Sequence, residues 1–461
     1  MGGVPSMPNT AIAPARRCAF AVLRRVFEHG AYADLALQSQ AAQLDRRDRA
    51  LAMRLAFGAV QRKGTLDHLI EQLAERPPRR LDPPVLAALR LGLYELLYLS
   101  GSPDRAVVAD AVELAKAQGR GGHGLVNAVL RRAAREGPDA LLGSLGDATP
   151  EQAAVKHSHP LWIARLWWEQ LGAADARALM AYDNDPGEVA LRANTLVTDA
   201  ATLAADLHAA AVPTHLDAQL PEAVVLEGPL DMHDSPLWQA GAFHAQSRAA
   251  MHVARALAPH SGERVLDLCA APGGKTTHLA ALMDGGGEVL AVERNRRRAG
   301  DLTRTAARLR AGNVRVVEGD AAEDRGDGPF DRVLVDPPCS GLGTLQARAD
   351  LRWRATPAAV GEMARAQAAI LSAAANALRP GGVLVYSTCT ISPTENEHVV
   401  TTFLDSHADF SLDDLASELP AFASGRPVSD RSQRPQAAGT VLTLPHRDRT
   451  AGFFIARLRR S

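Results

Sequence analysis

Cysteine is scarce in this 461-residue chain, and no two of its four cysteines form a CxxC pair. That spacing argues against a disulfide framework and against a thiolate zinc site, so we expect free thiols and no metal. No apolar run approaches the roughly 20 residues that span a bilayer, so no membrane association is expected. The N-terminus has no apolar segment behind a basic start, which argues against a secretory signal and predicts a cytoplasmic protein.

Lysine is as rare as cysteine: Lys63, Lys116, Lys156 and Lys275 are the only lysines among 51 basic residues. The formal net charge of −1 hides an asymmetry, because residues 1–140 carry 20 Lys and Arg against 14 Asp and Glu. A polyanion would therefore meet the N-terminal part first. The same arginines could also simply solvate helix faces, and the sequence leaves both interpretations open.

The apolar pattern predicts three domains. Residues 1–140 show helical periodicity throughout, including an unbroken run over residues 49–74, and predict an all-α bundle. Residues 141–240 are predicted as a linker, within GPDALLGSLGDATP, followed by a small α+β unit. Residues 241–461 alternate strand-like and helical runs, as a doubly wound parallel sheet does. GTVLTLP and GFFIARLRR predict a terminal antiparallel hairpin, which by fold analogy favours a Rossmann-like methyltransferase over a dehydrogenase.

A turn of small residues follows the first strand of the predicted sheet, and Lys275 then opens a helix. Backbone N–H groups at such a helix start suit a carboxylate or phosphate, and glycines let the ligand come close. A P-loop would need Gly at position 269, and the dinucleotide motif GxGxxG is absent. We therefore predict S-adenosylmethionine as the ligand. The turn consists of Cys269, Ala270, Ala271, Pro272, Gly273 and Gly274.

Acidic residues end the next two predicted strands. Glu293 closes EVLAVE 20 residues after Gly273, where an acid accepts hydrogen bonds from ribose hydroxyls. Asp320 closes VRVVEGD, where a carboxylate could accept from the adenine amine. Either acid alone would be an ordinary surface residue, but together beside a glycine turn they predict a nucleoside site.

Two cysteines follow neighbouring strands, Cys339 in DPPCSG and Cys389 in YSTCT. Adjacent strands lie roughly 4.8 Å apart, so both thiols should face one cleft. A thiolate that adds to C6 of cytosine converts the ring into an enamine, whose C5 can attack a methyl sulfonium. Asp336 is placed to activate the cytosine by protonation or hydrogen bonding. These residues alone leave open which cysteine attacks, and whether Lys275 orients the methionine carboxylate or the base.

CAAPGGK at 269–275, DPPCSGLGTL at 336–345 and YSTCT at 386–390 resemble the Nol1/Nop2/Sun family of RNA cytosine-5 methyltransferases. LRLGLYELLYL and GLVNAVLRR resemble the NusB-type RNA-binding bundle. The resemblance implies that Cys389 is the nucleophile and that Cys339 helps to release product. It also implies 16S ribosomal RNA as the partner, met before subunit assembly is complete, with cytosine 967 as the target. Departures such as Pro337 and Ala451, where many members have Ala and Asp, remove no catalytic group.

Other functions remain open at this point. The same chemistry could act on transfer RNA, on another ribosomal cytosine or on DNA, although by family analogy the DNA enzymes use the fourth-strand cysteine. A non-catalytic NusB-like RNA-binding factor is the alternative from another class. Cofactor binding and methyl incorporation into RNA would separate these alternatives.

Overall fold

In a computed structural model, the structure describes residues 12–119, 121–232, 234–323, 328–419, 422 and 439–461. By its internal contacts the chain divides into two compact units. The helical unit comprises Met1–Asp185 and Leu345–Arg354, and the sheet unit comprises Pro186–Thr344 and Ala355–Ser461. The predicted boundaries after residues 140 and 240 rest on sequence pattern and stay a prediction. Within the described ranges, no helix is both long and apolar enough to cross a membrane.

The helical unit confirms the predicted all-α bundle. Its central helix, α5, begins with two prolines whose fixed φ suits a first turn, and most of its residues are buried because helices pack around it. The helices are α1 (Pro14–His29), α2 (Ala33–Gln40), α3 (Arg46–Gln61), α4 (Lys63–Ala74), α5 (Pro83–Tyr98), α6 (Asp104–Lys116), α7 (His123–Glu136), α8 (Pro138–Gly143), α9 (Pro150–Lys156) and α10 (Leu161–Tyr182), with a 3₁₀ turn at Pro78–Arg80.

Two predictions for this unit were wrong in detail. The run over residues 49–74 is not one helix, because the chain breaks between α3 and α4 at Arg62. Ser158 Oγ accepts from Gly64 N at 2.9 Å and donates to Gln61 O at 2.8 Å, which satisfies backbone groups across the break. The predicted linker contains helix α8, which begins at Pro138 and buries Leu141.

The sheet unit begins with a small antiparallel sheet of order β2-β3-β1-β4, which confirms the predicted α+β unit. Strands β2 and β4 were not predicted, because three residues are too few to show alternation. The elements are β1 (Val189–Ala193), α11 (Ala200–Ala209), β2 (Thr214–Leu216), β3 (Ala223–Leu226), α12 (Pro236–Gln239) and β4 (Phe243–Ala245).

The larger sheet has the order β10-β12-β9-β8-β5-β6-β7, with β11 paired to β12. Strands β5 to β9 are parallel and nearly all apolar because helices cover both faces. The elements are α13 (Arg248–Leu257), β5 (Arg264–Leu268), α14 (Gly274–Leu282), β6 (Glu288–Glu293), α15 (Arg296–Arg308), β7 (Val314–Glu318), β8 (Phe330–Val335), α17 (Pro357–Ala377), β9 (Leu378–Thr388), α18 (Glu397–Ser406), β10 (Phe410–Leu412), α19 (Leu415–Glu418), β11 (Val441–Leu442), α20 (Pro445–Asp448) and β12 (Phe454–Arg460). Helix α16 (Leu351–Arg354) follows β8 in sequence but belongs to the helical unit.

The antiparallel end of this sheet is built mainly by β12, which pairs with β9 from Phe454 to Arg459. GTVLTLP contributes only the two-residue strand β11, and the unpredicted β10 pairs with the far end of β12. The predicted hairpin is therefore present but short. Leu268 pairs with Val335, and Val335 with Tyr386, so β5, β8 and β9 end side by side. This register brings the motif turns to one edge of the sheet.

Candidate active site

The turn between β5 and α14 depends on Gly273. Its φ is +104°, and a Cβ there would lie 2.5 Å from Leu302 Cδ1, so both the backbone and the space require glycine. Helix α14 begins at Gly274, and no side chain caps its start. Its first backbone N–H groups therefore point out of the turn formed by Ala270, Ala271 and Pro272.

A buried arginine from the small sheet supports this turn. Thr277 Oγ1 donates to Gly273 O at 2.7 Å, and Arg192 Nη2 donates to Thr277 Oγ1 at 2.9 Å. Arg192 is fully buried, which lowers its pKa to about 9. Its Nε and Nη1 have no partner within the described residues. Sequence reasoning missed Arg192; the signal was a single charge inside the apolar strand VALRA.

Asp267 lies one residue before the end of β5 and was also missed. Its Oδ2 accepts from Thr276 Oγ1 at 2.6 Å, whereas its buried Oδ1 has no partner in the described part of the chain. Burial, together with the negative charge of the nearby Asp336, raises the pKa of Asp267 to about 7. An acid inside an apolar strand, directly before a glycine turn, was the signal that could have found it.

The two predicted nucleoside acids lie where neighbouring strands β6 and β7 end. Glu293 is the last residue of β6 and is buried, and its Oε1 accepts from Asn295 N at 2.9 Å. Arg298 links it to the glycine turn: Nη1 lies 3.4 Å from Glu293 Oε2, and Nη2 donates to Ala271 O at 2.7 Å. Asp320 lies two residues beyond the end of β7 and is exposed, with its Oδ1 accepting from Ala322 N at 2.9 Å.

Lys275 and Asp336 form an ion pair between the glycine turn and the end of β8. Lys275 Nζ donates to Asp336 Oδ2 at 2.6 Å, and Ser387 Oγ donates to Oδ1 at 3.1 Å. Burial opposes the positive charge of Lys275, but the attraction of Asp336 outweighs it and raises the pKa of the lysine. Lys275 is therefore an ammonium at neutral pH, which can orient a carboxylate but cannot accept a proton.

The structure brings Cys339 and Cys389 together, with their Sγ atoms 3.2 Å apart. The hydrogen bond with Cys389, together with burial, raises the pKa of Cys339 well above its usual value, so Cys339 is a neutral thiol. Cys269, in the glycine turn, has its pKa raised to about 12 by burial, which disfavours the thiolate form. Of the three sheet-unit cysteines, two form a thiol pair and the third is part of the turn.

A buried polar network underlies the thiol pair and centres on Glu395, which is fully buried. Ser340 N donates to Glu395 Oε1 at 2.8 Å, Ser340 Oγ donates to Oε2, and Gln367 Nε2 donates to Oε1 at 3.0 Å. Ser340 Oγ also pairs with Thr390 Oγ1 at 2.8 Å. Burial raises the pKa of Glu395 above its ordinary value. The network fastens the residue after Cys339 to the residue after Cys389.

Neither Glu395 nor Gln367 was among the predicted site residues. The run SPTENE, which carries Glu395, follows the fifth-strand motif directly, and an acid there was the available signal. Gln367 lies in the middle of α17 and gives no such signal, because only the packing of that helix against β8 brings it to the site.

Two glycines set the path of the chain after Cys339. Gly343 N donates to Cys389 O at 3.0 Å, and Gly452 N donates to Gly343 O at 2.7 Å. A Cβ on Gly343 would lie 2.1 Å from Gly452 O, so the two backbones touch. The arrangement can therefore present a nucleophilic sulfur, a second thiol, a carboxylate and an ammonium to one planar substrate at the sheet edge.

Comparison with known proteins gives a consistent result along the chain. A family model described as 16S rRNA methyltransferase RsmB/F matches residues 254–459. The NusB family matches residues 13–135, and an RsmF/B-like ferredoxin-like domain matches residues 159–233.

Relatives match over almost the whole chain. A probable ribosomal RNA small subunit methyltransferase B from Synechocystis sp. is 36% identical, over 97% of this chain and 99% of the relative. Its counterpart from Bacillus subtilis is 34% identical, over 96% of this chain and 98% of the relative. The crystal structure of PH0851 shares the fold, with a TM-score of 0.79 at 24% identity, covering 99% of this chain and 100% of that chain.

Proposed function

The chain belongs to the 16S rRNA methyltransferase RsmB/F family, and we propose that it transfers a methyl group to carbon 5 of a cytosine in small-subunit ribosomal RNA. Membership confirms the resemblance predicted from the three motifs, together with the NusB-like bundle. The relatives are named as ribosomal RNA small subunit methyltransferases, which supports ribosomal RNA as the substrate. The cytosine, its carbon 5 and the covalent route are the proposal.

The methyl donor we propose is S-adenosylmethionine, which supplies an electrophilic methyl group when bound. The residues around the glycine turn fit it. The uncapped start of α14, at Gly273 and Gly274, suits a carboxylate, and the unpartnered Oδ1 of Asp267 suits an ammonium group. Glu293 and Asp320 would accept hydrogen bonds from hydroxyl and amino groups. The remaining turn residues, Cys269, Ala270, Ala271 and Pro272, shape the wall, and Lys275 holds Asp336 beside it.

The cytosine would be activated by Cys389, whose sulfur adds to C6 and makes C5 nucleophilic. Asp336, held between Lys275 Nζ and Ser387 Oγ, would accept a hydrogen bond from the exocyclic amine and from N3 once N3 takes the thiol proton of Cys389, which favours the addition. After methylation, C5 loses its proton to solvent water and the C6–S bond breaks, with the bonding electron pair returning to the sulfur of Cys389. We assign this release to Cys339, whose neutral thiol can donate a proton to the departing sulfur. The observation that carries this proposal is the 3.2 Å separation of the two thiols beside that ion pair.

The test is a pair of single substitutions in the full chain. Cys389→Ala should abolish methyl incorporation into RNA, because no sulfur remains to add to C6. Cys339→Ala should leave a covalent protein–RNA adduct on a denaturing gel, because elimination stalls. Cys18→Ala, a buried thiol of the helical unit, serves as the matched control and should methylate normally. Exchanged outcomes for the two site cysteines would reverse the assignment, and an unaffected Cys389→Ala variant would refute the mechanism.

The target we propose is cytosine 967 of 16S ribosomal RNA, met in the cytoplasm before subunit assembly is complete. A different ribosomal cytosine or a transfer RNA would need the same chemistry but another RNA contact surface. Mapping 5-methylcytosine across the RNAs of a strain that lacks this gene would identify the site, since one modification should disappear. A non-catalytic RNA-binding role is disfavoured, because such a role needs neither the paired thiols nor Asp336.

A further inference from the structure

The helical unit contains a cavity of about 120 Å³ that the proposed chemistry does not use. Tyr32 and Asp34, at the start of α2, and Phe57 and Gln61, on α3, form one wall. The segment 346–350 forms the other, and it belongs to this unit although it follows the Cys339 turn in sequence. We call it the α2–α3 cavity. Its volume is about four times the roughly 30 Å³ share of one liquid water, so it fits one planar ring but not a whole cofactor.

An aromatic ring at this cavity is held in place yet remains accessible. Tyr32 is 46% exposed, and the guanidinium of Arg354 lies 4.0 Å from its ring centroid. Arg354 is itself fixed, because Nη1 donates to Gly30 O at 2.8 Å and to Ala31 O at 3.1 Å. A ring braced on one side and open to solvent loses little freedom when a second planar group stacks on it.

The polar groups of the lining are mostly hydrogen-bond acceptors. Gln61 Nε2 donates to Asp183 O at 2.5 Å, and Gln346 Nε2 donates to Tyr182 O at 2.9 Å, which fixes both amides. Each amide keeps a carbonyl oxygen as an acceptor, and the lining adds the carboxylates of Asp34 and Asp350. Acceptors suit the exocyclic amine of adenine, cytosine or guanine, whereas uracil has no such amine.

Exposed arginines lie along α3, the helix that leads to the cavity wall, with Asp45 and Asp48 among them. Helix α3 places Arg49, Met53, Phe57 and Gln61 four residues apart, so one stripe of its surface runs from an exposed arginine to the cavity wall. Met53 is 47% exposed on that stripe. Five arginines, four on α3 and one on the opposite wall, form no ion pair with the described acidic side chains. These arginines are Arg46, Arg47, Arg49, Arg54 and Arg348.

We propose that the α2–α3 cavity binds one unpaired, amino-bearing base of an RNA strand, with the base stacked on Tyr32 and the neighbouring phosphates on Arg348 and the α3 arginines. This inference rests on the proposed function, because it takes RNA as the substrate, and it adds a contact outside the catalytic site. Stacking on an aromatic ring and phosphate contacts to arginine are the two components of single-strand recognition. The cavity would read an RNA segment that flanks the methylated cytosine.

The test measures RNA binding by the full chain without a methyl donor, so that no turnover is needed. The probes are single-stranded oligoadenylate, oligocytidylate and oligouridylate of equal length, and an RNA carrying one 2-aminopurine, whose amine matches the cavity and whose fluorescence falls on stacking. Wild type should bind the adenylate and cytidylate strands more tightly than the uridylate strand. The 2-aminopurine signal should fall on binding.

The variants separate the two components. Tyr32→Ala should weaken binding on the order of 10-fold and abolish the fluorescence change, whereas Tyr32→Phe, which keeps the ring, should bind as wild type does. Arg348→Glu should lower the slope of log affinity against log salt by about 0.7 or more, the value of one single-strand phosphate contact. Arg105→Glu, an equal charge reversal on an exposed position of α6, should change affinity less and leave the base preference intact.

Thermal unfolding would show whether each variant is folded. We expect all of them to fold, because the substituted positions are exposed. Equal binding by Tyr32→Ala and wild type, or equal effects of the two charge reversals, would overturn the proposal and leave the surface to a protein partner. Methyl transfer is measured separately. If these variants bind RNA and methylate it as wild type does, the base subsite is refuted and the proposed function stands. If RNA binding depends on Tyr32 but wild type does not methylate RNA, the proposed function is refuted and the base subsite stands.

Discussion

Gly343→Ala tests whether the contact between two backbones holds the thiol pair in place. The added Cβ would lie 2.1 Å from Gly452 O and 2.6 Å from Gly452 C, and neither atom belongs to a side chain that could rotate away. An unstrained contact needs roughly 3.5 Å, so the two segments must separate by about 1 Å or more. The hydrogen bond from Gly452 N to Gly343 O, now 2.7 Å, would then break.

The expected cost has two parts. Overpacking costs about 1–3 kcal/mol and the lost backbone hydrogen bond about 1 kcal/mol, so we expect the free energy of unfolding to fall by about 2–4 kcal/mol. Because Gly343 N also donates to Cys389 O, the displacement reaches the thiol pair. A misplacement of about 1 Å can cost about 100-fold in rate, so kcat should fall by about that factor. Cofactor affinity should be unchanged, since the glycine turn follows a different strand.

The assay combines methyl incorporation into RNA, calorimetric titration with S-adenosylmethionine and urea unfolding. Gly312→Ala is the matched control, because a Cβ at Gly312 meets nothing within 4 Å and its φ is not positive. The control should match wild type in all three measurements. If Gly343→Ala kept the wild-type kcat, and its free energy of unfolding lay within about 0.5 kcal/mol of that of the control, the backbone contact would not position the thiols.

Three further predictions concern buried charges. Glu395→Gln replaces one of two carboxylate oxygens, which together accept from three donors, by an amide N–H, so urea unfolding should show a loss of about 2–4 kcal/mol in the free energy of unfolding. The exposed Glu362→Gln should lose less than about 0.5 kcal/mol, and equal losses would refute the network's role. Lys275→Met removes a charge that lowers the pKa of Asp267, so carboxyl NMR should place that pKa above its present value of about 7, and an unchanged value would contradict the electrostatic account. Burial lowers the pKa of His278 to about 4, whereas its pKa in the unfolded chain is about 6.5. Between about pH 4 and pH 6.5 only the unfolded chain binds this proton, so the free energy of unfolding falls as the pH falls from about 6.5 to about 4. His278→Gln should reduce that dependence by about 1.4 kcal/mol per pH unit in unfolding titrations, and an identical slope would refute the assignment.

Local pattern was sufficient for the elements that carry the chemistry. The apolar runs of β5, β6, β8 and β9 are long enough to show burial on both faces, and each is followed by its motif. Because parallel strands end at one edge in a known order, the proximity of Cys339 and Cys389 could be predicted without coordinates. The roles of these residues stay predictions until the substitutions are made.

Local sequence pattern failed to predict strands that are very short and contacts between residues that are distant in sequence. Strands β2, β4 and β10 have three residues each, too few for a period. The break at Arg62 is stabilised by Ser158, which lies 94 positions from its partner Gly64. Such contacts depend on how complete elements pack, and no window of sequence contains both partners.

By itself, the sequence determined the helical bundle, the alternation of strands and helices in the larger sheet and the edge at which the motif residues meet, because periodicity and the place of a motif directly after its strand are local properties. Only the tertiary structure decided that Arg192 supports the glycine turn, that Glu395 joins the two thiol turns and that segment 345–354 completes a cavity in the helical unit. These three depend on side chains from remote elements reaching hydrogen-bond or packing distance, a geometric condition that spacing along the chain does not encode.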